Sequence, residues 1–435
     1  MPSLISRRRV LQGVLASVPS SGILANQFLG ASLSESAEAS PAETVRILMP
    51  APLADATAPA VRQFNLRHRD VQIAVTRGPL DTETLSDLAT SSLLLGDSPF
   101  DLLLMDVSWT ARYVAAGWLQ PLETLLGDDA LAGMVPSARL GNAFGGHLWR
   151  MPLSGDTALL YWRTDLMPRP PRDTQDLAAM ARALQDQGKV RWGYVWQGRQ
   201  YEGLSCVLLE VLHGFGGRWW DSQTGRTDLM SAEAHEAFHW LTNLVRQGIS
   251  PPGVANFAEN DALQLFLTGE VAFMRNWPYA WQLIAQENGP VTGKVGVTPL
   301  VGAPGHQGGG TLGTWGLSLL AGSPRPMGAA RVIRWLTGTD VQRDLVRSQG
   351  YAPTWRSLYE DGSLQESHPL MEVQFQALLH PLVRPLTPLY AQISDVLQRQ
   401  GNALLTSTLS PEVALARAQR QSELILRAAG ASTDP

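Results

Sequence analysis

The sequence has a single cysteine, Cys206, so no internal disulfide can staple it and cysteine usage is silent on redox compartment. Charged residues make up only 17% of the 435 residues and form no long runs of one sign. With a formal net charge of −5, nothing favours nucleic acid or an anionic membrane as partner. There is no fixed-period repeat, no Ser nucleophile elbow and no cofactor motif. The glycine-rich "GHQGGGTLGTWG" (305–316) lacks the Lys-Ser/Thr of a nucleotide loop, so its glycines are read as tight turns with close backbone approach. Cys206, within "LSCVLLE", reads as a small core residue.

What is present begins with a leader. "SRRRVLQGVLASVPSSGILANQFLGASL" has a basic head, Arg7–Arg9, and then no charge until Glu35. Its apolar part is too short and too rich in Ser and Gly to span a bilayer, and reads as a removable export signal. Ser6-Arg7-Arg8 followed by Val10-Leu11 resembles the twin-arginine motif; an ordinary secretory head is the alternative. Cleavage is expected within 30–43, after Ala39 or Ala42. No Cys lies there to take a lipid, so the mature protein is expected to be soluble and periplasmic.

The length suffices for two domains. "TVRILMP", "VQIAVTR", "FDLLLMD", "TALLYWR", "WGYVWQG", "GKVGVTPL" and "WGLSLLA" read as strands, interleaved with amphipathic helices. Ser108 is the N-cap candidate of the helix after "FDLLLMD". The alternation predicts an α/β fold with mostly parallel sheets and helices on both faces. Ligands of such sheets bind beyond the carboxyl ends of the strands, which singles out Arg77, Asp106 and Asp156.

Three chemistries compete. "HEAFH" (His235, Glu236, His239) has the spacing of a zinc helix, with Glu259 at the distance of a third ligand. Against it, Ala237, Phe238, Leu241, Leu244 and Val245 form an ordinary apolar stripe, with Thr242 and Arg246 on the histidine face as on a solvated one. Asp106 and Asp156 could flank a glycosidic bond as acid and nucleophile or base. The third reading starts from "FMRNWPYAW" (273–281), where Pro278 is expected to hold Trp277 and Tyr279 on a turn. Flat rings with polar tips suit a pyranose, whose C–H face stacks while charged side chains meet its hydroxyls. A stack adds about 1 kcal/mol beyond burial. Charge-assisted hydrogen bonds add about 1.5–3 kcal/mol each.

"FDLLLMDVSWTARYVAAGWLQPL", "YVWQGRQYEGL", "LFLTGEVAFMRNWPYAW", "GKVGVTPL" and "TLGTWGLSL" together resemble the trehalose/maltose-binding proteins of bacterial and archaeal ABC importers. The cyanobacterial glucosylglycerol-binding proteins belong to the same wider family. The resemblance covers residues 44–425. It implies a two-lobed class II periplasmic-binding-protein fold, a ligand cleft between the lobes, and a hinge crossed several times. It implies a monomer that is no enzyme, needs no cofactor or metal, and hands a small α-glucoside (trehalose, glucosylglycerol, sucrose or maltose) to membrane permease subunits. Carried over residue by residue, Asp106 and Asp156 accept sugar hydroxyls and Arg77 and Arg384 donate. Trp277, Tyr279 and Trp315 stack, and Gly313 leaves room. Ser154 and Thr314 depart from the family pattern beside the pocket, and Thr314 is still counted among the ligand-binding residues. The expected division is 1–42 as signal and linker, 43–152 plus 294–337 as the N-terminal lobe, and 153–293 plus 338–435 as the C-terminal lobe.

Overall fold

The structure, a computed structural model, describes residues 42–96, 98–221 and 223–430. The expected leader, with Arg7–Arg9 and the cleavage position Ala39, lies outside these residues, and the other expected position, Ala42, is the first of them. Among the described residues no helix is long and apolar enough to cross a membrane.

The first lobe grows from Glu43–Met49 (β1), helix Ala51–Arg67 (α1) and Val71–Arg77 (β2), followed by helix Thr82–Leu94 (α2) and Leu102–Asp106 (β3). β1 runs parallel to both other strands, with Val45 opposite Ile73 and Ile47 opposite Leu102. All five residues of β3 are buried, as a strand covered on both faces requires. Asp81 starts α2 by accepting the Thr84 N–H. Ser108 does not cap the helix after β3. Asp106 fills that role, its side chain accepting the Ser108 N–H, and a single 3-10 turn precedes helix Thr110–Ala115.

The chain leaves this sheet after Met151–Pro152 (β4) and builds a second one. Its elements are Leu159–Arg163 (β5), Thr174–Asp186 (α3), Trp192–Val195 (β6), Glu202–Gly214 (α4), Ala232–Arg246 (α5), Glu259–Leu267 (α6), Val271–Asn276 (β7), Tyr279–Gln286 (α7) and Val295–Pro299 (β8). The sheet order is β8-β5-β7-β6, with β5 antiparallel to both neighbours. Trp315–Leu319 (β9) then returns to the first sheet, completing the order β2-β1-β3-β9-β4, and lies antiparallel to β3 and β4. Both sheets are mixed through one reversed strand each, β9 in the first and β5 in the second, while the other strands run the same way.

Two expected boundaries move. Val295–Pro299 pairs with Leu159–Arg163 and belongs to the second lobe, so the return crossing lies after Pro299 and not at 294. Residues beyond 338 do not turn at once to the second lobe. From helices Pro326–Leu336 (α8) and Thr339–Gln349 (α9), Ile333, Val341 and Leu345 share one core with Val45, Ile47 and Phe64, and so do Leu358 and Leu364. Helix Leu370–Leu378 (α10) is divided, with Met371 in that core and Leu370 in a core of the second lobe. Helices Tyr390–Leu405 (α11) and Pro411–Ala428 (α12) complete the second lobe, packing Ile393, Val396 and Leu415 against Leu208, Phe238 and Leu241.

The three crossing segments run side by side. Thr157 bridges Leu312, and Thr311 bridges Leu382. The Leu312 N–H donates to the Leu382 carbonyl at 2.9 Å, and the Gly313 N–H to the Asp156 carbonyl at 2.8 Å. Gly310 is needed here because a Cβ on it would stand 2.3 Å from the Ala158 carbonyl oxygen, backbone against backbone. Gly310→Ala should therefore cost about 1–3 kcal/mol and lower the melting temperature by several degrees. Gly322→Ala, where nothing lies within 4 Å of the added carbon, should leave it unchanged. Thermal denaturation of both variants checks the crossing.

Candidate functional site

Three of the expected residues, Asp156, Gly313 and Arg384, sit on the crossing segments themselves, and Asp106 and Trp315 face each other as register partners across β3 and β9. At the centre is an ion triad in which Arg384 and Asp106 are buried and Glu202 partly so. Arg384 donates Nη2 to Asp106 Oδ1 at 2.7 Å and Nη1 to Glu202 Oε1 at 2.8 Å. Asp106 ends β3 in the first lobe, and Glu202 opens α4 in the second. Burial works against the Arg384 charge, yet the Asp106 carboxylate holds its pKa above the ordinary arginine value. Asp106 Oδ1 also accepts from Ser108 N–H and Oγ at 2.9 and 2.6 Å, while its Oδ2 meets no donor among the described residues. Glu202 is anchored in turn by the Tyr390 hydroxyl and by Ser394 Oγ at 2.8 Å.

Arg150, fully buried, lies behind this triad. It donates Nη1 to the Thr314 carbonyl at 3.1 Å and Nη2 to the Thr314 hydroxyl. Burial brings its pKa down to about 9, opposed by the Asp106 charge. Thr314 is thereby moved out of the expected contact set: it is fully buried, with hydroxyl and carbonyl both taken by Arg150.

The stretch "FMRNWPYAW" is not one turn. Phe273–Asn276 finishes β7, fully buried, Trp277 and Pro278 form the corner, and Tyr279 begins α7. Trp277 is half-buried and held on three sides. The Arg275 guanidinium lies over its ring at 4.4 Å, Glu259 Oε1 accepts its Nε1–H at 3.1 Å, and Gly313 closes the opposite edge. A Cβ on Gly313 would come within 2.8 Å of Trp277 Cζ3, so this glycine makes room for the indole. Arg275 is itself fixed by Glu210 at 2.6 and 3.0 Å and by Gln197 at 2.9 Å. Tyr279 is half-buried, its phenol pushed up by burial and then by the charges of Glu259 and Tyr351. Trp315 meets Trp109 edge-on at 6.0 Å.

Arg77 is not gathered with the others. It is solvent-exposed at the end of the edge strand β2, its guanidinium paired with Asp55 at 2.9 Å on both nitrogens. The zinc reading of "HEAFH" also fails. His239 Nε2 contacts Glu412 at 2.8 Å on the surface, and Glu259 is engaged by Trp277 and by the Tyr201 hydroxyl at 2.7 Å. Thr242, expected on a solvated face, is instead buried. Among the described residues no three of His, Cys, Asp and Glu could hold a metal ion. The residues that sequence reasoning passed over are Glu202, Glu210, Arg275 and Arg150. One signal was available: a charged residue inside the apolar run "VAFMRNW" must find a buried partner.

Among the described residues Arg384 Nε and Arg150 Nε, both buried, find no hydrogen-bond partner. Asp156, buried, accepts the Ala352 N–H at 2.9 Å, and burial pushes its carboxyl up to about 7. An unfolded carboxyl titrates near about 3.9. The folded protein therefore binds the extra proton between these values. Asp156 leaves stability intact at the acid end of this window, and the cost appears as the pH rises through it.

The family model described as bacterial extracellular solute-binding protein matches residues 50–343. A probable ABC transporter-binding protein of Deinococcus radiodurans is 30% identical over 355 residues, 79% of this chain and 84% of the relative. The mannitol-binding protein of Pseudomonas aeruginosa is 26% identical over 395 residues, 84% of this chain and 89% of its own. Maltose-bound MalE3 of T. maritima superposes with a TM-score of 0.82 at 30% identity, covering 88% of this chain and all of the other.

Asp156→Asn keeps the acceptor for Ala352 and removes the charge. At pH 8 it should be more stable than the parent, by up to about 4 kcal/mol, the cost of ionising a carboxyl that burial disfavours this strongly. The gap should close towards pH 4. Melting curves across that range check the sign.

Proposed function

This chain belongs to the bacterial extracellular solute-binding proteins, and we propose that it captures a small α-glucoside (trehalose, glucosylglycerol, sucrose or maltose) for an ABC importer. It is a binding protein and not an enzyme, with an extracytoplasmic place of work. The observation that carries the sugar reading is the pairing of half-buried rings with unspent polar atoms at the crossing segments. Trp277, Tyr279 and Trp315 supply apolar faces. Asp106 Oδ2 supplies an acceptor and Arg384 Nε a buried donor without a partner. A buried unpaired donor costs about 1–3 kcal/mol, and a sugar oxygen would remove that cost. Each buried guanidinium already bonds protein acceptors, so the site favours an uncharged polyhydroxyl solute over an anion.

Within this reading Asp156 accepts a hydroxyl, while Thr314 and Gly313 act through Arg150 and Trp277. Closure follows because the triad joins a carboxylate from each lobe to the same arginine, so a solute seated against it meets both lobes. The maltose-bound structure of T. maritima supports the glucoside, and the mannitol-binding relative makes a linear polyol the competitor to test.

A thermal-shift panel of the four glucosides and mannitol tests the reading. At least one glucoside should raise the melting temperature by several degrees. A response to mannitol alone would overturn the choice of solute. Trp277→Ala should weaken the responding sugar at least tenfold in calorimetry without changing the far-ultraviolet circular dichroism; an unchanged affinity would remove this ring from the pocket.

A further inference from the structure

We propose that Glu83 and Asp81 form a latch that caps helix α4 from the opposite lobe and holds the cleft shut. A helix leaves its first four N–H groups without intrahelical partners, and α4 begins after Tyr201, whose side chain provides no cap. The missing acceptor comes across the cleft: the Glu202 N–H donates to Glu83 Oε1 at 3.1 Å. Glu83 belongs to the first turn of α2, in the other lobe. Its carboxylate thus meets the positive end of the α4 dipole.

A second contact stands beside the first. Arg199 Nη2 approaches Asp81 Oδ2 to 3.6 Å, and Asp81 keeps its other oxygen for its own helix, accepting the Thr84 N–H at 2.9 Å. Arg199 is not loose on its side. Its guanidinium lies over the Tyr201 ring at 4.5 Å, and the Tyr201 hydroxyl bonds Glu259, the carboxylate that fixes Trp277. The latch therefore closes on a segment that also sets the stacking ring. Glu202, whose backbone receives the cap, has its side chain locked by Arg384, Tyr390 and Ser394. The α4 end is a rigid target.

Neither contact uses Asp106 Oδ2, Arg384 Nε or a face of Trp277. They form through approach of the lobes alone, so closure draws on them without any solute. The latch goes beyond the solute reading, and it is measured without sugar so that the two can fail separately.

The test is pulsed electron paramagnetic resonance on the full chain, with spin labels at exposed Gln63 on α1 and Asp186 on α3, Cys206 being buried. The solute-free parent should show a short-distance population, and D81A/E83A should reduce it about fivefold, the scale of losing a helix cap. E83Q keeps an acceptor oxygen and should retain more of it than E83A. An equal short-distance fraction in the parent and in D81A/E83A overturns the latch, and so does its absence from the parent.

Discussion

Arg384 stands between two carboxylates that belong to different lobes, and the architecture of the site follows from that position. A lone buried guanidinium is costly, and so is either carboxylate. With Arg150 added behind Asp106, two cations and two anions share one buried neighbourhood. Removing Arg384 would strand both carboxylates. That mutual dependence fixes the ends of β3 and α4 against the third crossing segment, and it fixes them where the rings of Trp277 and Trp315 meet the cleft.

A second network repeats the arrangement on a smaller scale. Glu210 neutralises Arg275, and its Oε1 also accepts the Thr311 N–H at 3.0 Å. The backing of Trp277 is thereby tied to the strand that crosses between lobes. Aromatic position and hinge position are set by shared hydrogen bonds, so a stacked solute can act on both. The ring surface is a platform with one face occupied by the protein, not a free side chain awaiting a ligand.

Much of the fold was legible because the strands are short apolar runs and the helices have ordinary apolar stripes. Strand direction was not, since β9 and β5 each run against the other strands of their sheets, which no local pattern records. Residue roles divided in the same way. Asp106 and Asp156 were singled out by their places at strand ends and Trp277 by its turn, while Arg384 entered only through the family resemblance. Thr314 and Gly313 were misassigned because their partners, Arg150 and the Trp277 edge, lie far away in sequence. Arg77 was misread because Asp55, one helix earlier, takes its charge. "HEAFH" shows the converse: a spacing that fits metal chemistry is emptied of it by an ordinary amphipathic helix with one surface ion pair.

The account requires a solute to settle against Trp277 and Trp315 rather than elsewhere. The protein has 14 tryptophans, and 5-fluorotryptophan labelling with fluorine NMR distinguishes them once single Phe variants assign the signals. Adding the sugar that stabilises the protein should move the Trp277 and Trp315 resonances and leave Trp219, buried in the second lobe, in place. Bound sugar with both cleft resonances unmoved would contradict the central claim.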